Sequence, residues 1–366
     1  MKKVSDDYWS QDDFRRTKSR KFIEQTCFNG IHIAFTFTHV LELLAHKDNS
    51  KVRDRIKFLR GLPLIAWLRP YDRNGSPGSL ADVLRRELHA VIHEAKSDWK
   101  AIVEQVRADI WETGVGSEIF IDDEAHWQVL GAVAQDHNLR RQYIASVVRT
   151  DPGGISDLKI GDAKRLQMRP KEERTAFLRQ FVQIMVAQLK QHGDQRLDNP
   201  DAIAADFATG IQKELENLES TNIDSIQQMF ECWDLPQELV TDNMTIGEFS
   251  ELVAYKHRLV VVSRQLHPPA KVSIREFPPN TLPAEFLQRK LAEIQRKAAR
   301  VSGSDLGDTH IAPLVLHADG VEVDKRTHEY LIQMKRAHPA LGSLMGRFFR
   351  STDYATIPDV LSKDDP

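Results

Sequence analysis

A chain of 366 residues with 41% hydrophobic and 28% charged side chains can bury a substantial core, as two domains or as one domain with a large insertion. A formal net charge of −3 argues against a protein that coats nucleic acid non-specifically. No apolar run approaches the ~20 residues that span a bilayer, the N-terminus lacks the apolar centre of a signal peptide, and Cys27 and Cys232 give neither a disulfide framework nor a zinc spacing, which together point to the cytoplasm.

Met1 to Trp9 offers hardly any strand and carries Asp6 and Asp7. Residues 10–27 read as a helix with Phe14, Phe22 and Ile23 on its apolar side. On the same helix Arg15, Arg16, Lys18, Arg20 and Lys21 place five cations within seven residues. Such a run is ordinarily a solvated face; beside a metal site it would hold phosphates. Ile31–Phe37 alternates apolar with smaller or polar residues, a strand pattern, and Thr38 can cap a helix over 38–46. Val52–Leu59 is helical and Leu64–Leu68 a buried strand. Arg73-Asn74-Gly75-Ser76-Pro77-Gly78-Ser79 then forms a linker that interrupts the sheet domain.

From Leu80 to about Pro279 the pattern is mainly helical, with Leu80–Trp111 one long amphipathic segment and Glu124–Val148, Lys171–Gln191, Ala202–Leu218 and Ile246–Gln265 further candidates. Trp99, Trp111, Trp127 and Trp233 are expected in the core of this part. His89 and His93, four apart, can face one metal, but without a third ligand an exposed face is the better reading. Beyond Pro278-Pro279 helices and strands alternate again. Leu282–Arg300 is a helix carrying Arg289, Lys290, Arg296, Lys297 and Arg300. Asp305–Leu316 begins as a helix that Pro313 kinks or ends. Val321–Val323 is a strand, Lys325–Arg336 a helix, and Tyr354–Ile357 a last short strand. This alternation implies a mostly parallel sheet covered by helices, with ligands at the carboxyl ends of its strands.

The carboxylates carry the chemistry. Ser304 or Asp305 can cap a helix on whose first turn Asp305 and Asp308 share a face. Like charges so close repel unless something neutralises them, and hard oxygen ligands suit magnesium or manganese. Asp324 ends the strand that follows. Glu42, enclosed by Val40, Leu41, Leu43 and Leu44, is either turned outward or held for a purpose. His39 beside it can contact a phosphate or simply pack at the strand-to-helix corner. Lys325 and Arg326 can neutralise the acidic cluster or form a surface pair.

Thr38-His39-Val40-Leu41-Glu42-Leu43-Leu44, Ser304-Asp305-Leu306-Gly307-Asp308 and Val323-Asp324-Lys325-Arg326-Thr327, in that order, resemble the later acidic elements of the PIN-like nuclease family. The first element departs from the family pattern: the aspartate expected a few residues before a tryptophan falls near Ser5 rather than on Asp6 or Asp7. The resemblance implies a mostly parallel α/β PIN-like sheet flanked by helices, formed by residues 1–75 and 281–366, with a large all-helical insertion at 76–280. It further implies a nuclease hydrolysing phosphodiester bonds of RNA or DNA, with Glu42, Asp305, Asp308 and Asp324 as catalytic ligands of magnesium or manganese and Asp6 or Asp7 completing the set. Arg15, Arg16, Lys18, Arg20, Lys21, Arg296, Lys297, Arg300, Lys325 and Arg326 would position the nucleic-acid backbone, and the insertion can bind a protein partner. Toxin, antiviral defence effector and RNA-processing enzyme all fit this reading. The alternative is an inactive PIN-like scaffold acting as an interaction module for protein or nucleic acid, which the imperfect first element and the insertion favour.

Overall fold

The computed structural model describes residues 2–46, 48–72, 78–120, 122–123, 125–136, 155–167, 183, 187, 209, 235–296 and 311–363. The chain is a mixed α/β protein, mostly helical with small sheets. It divides into two units, one formed by residues 1–139, 280–295 and 304–366, the other by 140–279 and 296–303.

In the first unit, residues 2–8 form helix α1 (Lys2–Tyr8), where no strand was expected. Helix α2 (Asp13–Phe28) starts at Asp12, whose carboxylate accepts from the amides of Phe14 and Arg15. It ends at Asn29 and Gly30, and Gly30 takes a φ of 65°, a left-handed turn that glycine adopts without a Cβ clash. Its buried side is Ser19, Phe22 and Thr26. Phe14, expected on that side, is 77% exposed instead.

Strand β1 (Ile33–Phe35) leads directly into helix α3 (Phe37–Leu44), and helix α4 (Asn49–Arg60) returns the chain to strand β2 (Ile65–Leu68). β1 and β2 pair in parallel, Ile33 opposite Ile65 and Phe35 opposite Trp67. Parallel neighbours need such a crossover, which α3 and α4 supply. Phe35, Leu44, Leu59, Ile65, Phe120, Trp127 and Tyr354 centre one hydrophobic cluster around this crossover. Burying each large apolar side chain there contributes about 1.5–3 kcal/mol.

The segment expected as one helix over Leu80–Trp111 breaks in two. Helix α5 (Leu80–His93) stops before Ala95, whose φ of 52° no helix accommodates, and Asp98 caps helix α6 (Trp99–Asp109) by accepting from Ala101 N at 2.9 Å. Strand β3 (Trp111–Gly114) then adds antiparallel to β2, making a sheet of order β1-β2-β3. Residues 125–136 are helical, as expected for the start of 124–148, and Trp127 is buried there.

Helix α7 (Pro283–Arg296) opens the later part. Residues 305–310 lie outside the described residues. Ala312–Leu316 form a 3-10 turn with Pro313 near its start and all five side chains buried. Strand β4 (Gly320–Val323), helix α8 (Lys325–Ala337) and strand β5 (Arg347–Arg350) form a second parallel crossover, Gly320 opposite Arg347 and Val323 opposite Arg350. Tyr354–Ile357, expected as a strand, is a 3-10 turn running into a short helix (Ile357–Leu361). The described strands thus form two small sheets rather than one.

In the second unit, Lys159 bridges antiparallel to Thr245, just ahead of two helices, Ile160–Gln167 and Ile246–Arg264. Thr245 and Glu248 form a reciprocal cap at the start of the latter. Tyr255 OH donates to Phe277 O at 2.9 Å. The helices expected at 171–191 and 202–218 fall outside the described residues apart from helical positions 183, 187 and 209. Trp233 lies outside them too. Among the described residues no helix is long and apolar enough to cross a membrane.

Candidate functional site

α3 carries the first candidate ligand. Its cap is Thr36, not Thr38: Thr36 is extended (φ −123°, ψ 168°), and its hydroxyl accepts from His39 N at 3.4 Å. His39 closes the box from the other side, its Nδ1 accepting from Thr36 N at 3.1 Å. A histidine thereby does the work that a glutamate usually does at this position. Burial lowers the His39 pKa to about 4, so the ring is neutral near pH 7, and with Nδ1 accepting, its proton sits on Nε2. Three residues on, Val40, Leu41, Leu43 and Leu44 are buried while Glu42 is exposed. The carboxylate faces outward because the four apolar neighbours take the inner arc of the helix.

Asp324 occupies the equivalent corner after β4. It is half-buried and extended (φ −68°, ψ 170°), and Oδ1 caps α8 by accepting from Thr327 N at 2.6 Å. The cap uses one carboxylate oxygen and leaves Oδ2 for another partner. Thr327 Oγ1, in the first turn of α8, is buried without a hydrogen-bond partner among the described residues. Exposed or partly used carboxylates with a neighbouring hydroxyl are hard oxygen donors, and such donors fit magnesium or manganese. Lys325 is exposed and Arg326 half-buried. Asp305, Asp308, Lys297 and Arg300 lie outside the described residues, as does the Arg296 side chain. Among the described residues no three His, Cys, Asp or Glu side chains gather as a metal-binding group.

Asp6 and Asp7 both carry protein partners. Arg55, with 2% of its side chain exposed, donates Nε and Nη2 to the two Asp6 oxygens at 3.0 and 3.1 Å, and Nη1 to Leu43 O at 3.0 Å. One guanidinium therefore ties α1 to the last turn of α3 through a bidentate pair. Asp7 is buried and accepts from Tyr354 OH at 2.8 Å. Arg55 stands three residues after buried Val52 and four before buried Leu59, and that helical spacing is the one sequence signal of an inward side chain.

The basic runs are largely engaged. Arg15 pairs with Asp12 at 3.6 Å and Arg16 with Asp13. Lys18 stands 5.1 Å over the Tyr354 ring and Arg20 5.7 Å over Tyr8, while Lys21 is exposed. On α7, Lys290 pairs with Glu293 at 2.7 Å and Arg289 lies 5.8 Å over Phe286. His89 and His93 have ring centroids 4.8 Å apart, with Glu94 3.7 Å from His89 Nδ1.

A buried polar cluster, unmarked in the sequence, holds the turn that follows the acidic segment. Glu87 on α5 and His317 are both fully buried, with Nε2 3.2 Å from Oε1. Both Glu87 oxygens also accept from Ala284 N at the start of α7, at 3.1 Å. Burial pushes the Glu87 carboxyl above its usual range, and the bonds from His317 and Ala284 oppose that push. Arg107 donates to Leu316 O at 2.7 Å and to Leu344 O at 2.8 Å, and Trp111 Nε1 donates to His317 O at 2.7 Å. α5, α6 and β3 thus anchor residues 316–317. No protein-family model, curated protein or solved structure matches this chain.

Proposed function

We propose that the chain is a PIN-like, metal-dependent endonuclease of RNA or DNA, the first unit being the PIN-like part and the central region its helical insertion. One observation carries the reading. Both ends of the chain close into one unit that holds two parallel strand–helix–strand crossovers, and the helix after the first strand of each carries an acid: Glu42 in the second half of α3 and Asp324 capping α8. Carboxyl ends of parallel strands are where such folds bind ligands.

Glu42 and Asp324, with Asp305 and Asp308, would hold magnesium or manganese. That ion, when bound, lowers the pKa of a coordinated water and offsets charge on the scissile phosphate. The chain's own part is to fix the donors: Thr36 and His39 set the α3 corner, Thr327 N orients Asp324, and the Glu87–His317 pair anchors the turn after Asp308. Lys325 and Arg326 supply cations beside Asp324 for the nucleic-acid backbone. The rival reading, an inactive scaffold acting as an interaction module, draws on a specific observation: Asp6 and Asp7, the acids nearest the first family position, are held by Arg55 and Tyr354.

Labelled RNA and single-stranded DNA incubated with manganese or with chelator separate the two. The nuclease reading expects manganese-dependent cleavage that Glu42→Gln and Asp308→Asn each abolish. Cleavage equal in parent and variants would mark a contaminant, and none at all would favour the scaffold.

A further inference from the structure

Phe14 and Phe28, at the two ends of α2, are 77% and 92% exposed. Lys21 stands midway, seven residues from each, so the three side chains fall within ~40° of one line along the helix. That line lies away from the buried Ser19, Phe22 and Thr26, and exposed Thr17, Arg20 and Glu24 flank it. A single exposed phenylalanine on a surface needs no explanation. Two rings about 21 Å apart along the axis, with a lysine between, form no contiguous apolar patch of the kind a protein partner buries.

Charge narrows the occupant further. α2 carries five basic residues against Asp13 and Glu24, and with Arg15 and Arg16 paired to Asp12 and Asp13 and Arg20 leaning over the Tyr8 ring, the outward positive charge concentrates at Lys21. Rings interleaved with cations are how proteins hold unpaired nucleic acid: bases stack on the rings and phosphates meet the cations. The helix is also braced from behind. Ser19 Oγ donates to Val4 O at 2.7 Å, Gln25 Nε2 to Asp359 at 3.1 Å, and Asn29 Nδ2 to Pro358 O at 3.2 Å, while Phe22 packs edge-on against Tyr354 with centroids 5.4 Å apart. The outer rings are therefore presented on a fixed element, at little ordering cost on binding.

We propose that the outward face of α2 is a docking track for single-stranded nucleic acid, with Phe14 and Phe28 each stacking on a base and Lys21 meeting the phosphates between them. The inference rests on the nuclease reading for its class of ligand and narrows that class to single strands, because a paired base offers no face to an external ring.

Binding of labelled oligo-dT and oligo-U, followed by fluorescence anisotropy in chelator, tests it without requiring cleavage. The Phe14→Ala/Phe28→Ala double variant should weaken single-strand binding roughly tenfold or more and leave duplex binding unchanged. Lys21→Glu should weaken it too and flatten its dependence on salt. Single-strand binding equal in parent and double variant overturns the proposal, as does equal loss for single strand and duplex, or no binding by the parent. A double variant that binds normally but loses self-association in sedimentation reassigns the face to a protein contact. Binding that depends on both rings, in a chain that never cleaves, upholds this surface while sinking the nuclease.

Discussion

Glu42 lies in the apolar run Val40-Leu41-Glu42-Leu43-Leu44 and Glu87 in the largely charged run Leu84-Arg85-Arg86-Glu87-Leu88, yet it is Glu42 that faces solvent and Glu87 that is wholly enclosed. Apolar sequence neighbours therefore say little about where a glutamate points. What separates the two is the company each finds across the chain. Glu87 meets the N-terminus of α7 and the ring of His317, partners that offset its desolvation, whereas the arc of α3 that bears Glu42 is left to the surface. A buried carboxylate with fixed donors builds structure; Glu42 points outward from the second half of α3 instead.

The largest effect should come from breaking the enclosed pair. Glu87→Ala leaves a buried amide and imidazole without their acceptor and should cost about 3–5 kcal/mol in denaturant unfolding; a loss under about 1 kcal/mol would place that cluster in water instead. The pair also predicts a pH signature. Folded Glu87 keeps its proton to a higher pH than its ordinary 4.5, so its stabilising contribution is complete below that value and declines as pH rises through the folded one. Glu87→Gln lacks this titration, and its stability relative to the parent should therefore improve as pH rises above about 4.5. A constant gap would contradict the assignment.

Asp6→Ala removes two of the three acceptors of buried Arg55 and should cost about 1–3 kcal/mol; if manganese-dependent cleavage survives in that variant, Asp6 serves the fold and not the metal. Thr36→Ala strips the α3 cap, for about 1 kcal/mol. Glu42→Ala, at the small end, should change stability by under about 0.5 kcal/mol while removing cleavage. Substantial destabilisation by Glu42→Ala would erase the contrast with Glu87.

The β1–α3–α4–β2 crossover was readable because its strands are compact apolar runs and its helices keep one buried face. α8 was readable for the same reason, and β4 from the alternation Val321-Glu322-Val323. β3 and β5 were not: Trp111-Glu112-Thr113-Gly114 and Arg347-Phe348-Phe349-Arg350 leave most of their side chains half-buried or exposed, so neither carries a clean alternation. Tyr354-Ala355-Thr356-Ile357 has the better strand composition, but Pro358 sits within the first turn of the helix it enters, and Tyr354 turns inward to reach Asp7. The break between α5 and α6 was hidden because Ala95, a non-glycine, takes the left-handed turn. Phe14 misled through hydrophobicity alone, since its angular position on α2 lies away from Phe22. Asp324 at the end of β4 was legible from local order, whereas the α3 corner came out one half-turn earlier than expected, capped by Thr36, which leaves Glu42 late in the helix. Partners such as Glu87 and His317, 230 positions apart, leave no local mark at all.

The seam between α2 and the segment around Tyr354 and Asp359 has a bearing on biosynthesis. Phe22 and Asp7 emerge from the ribosome more than three hundred codons ahead of the tyrosine that caps them. At ordinary elongation rates the interval is on the order of tens of seconds. The core around β1 lacks Tyr354 until translation reaches that segment, so Phe22 and Asp7 wait for their partner while the middle of the chain is made.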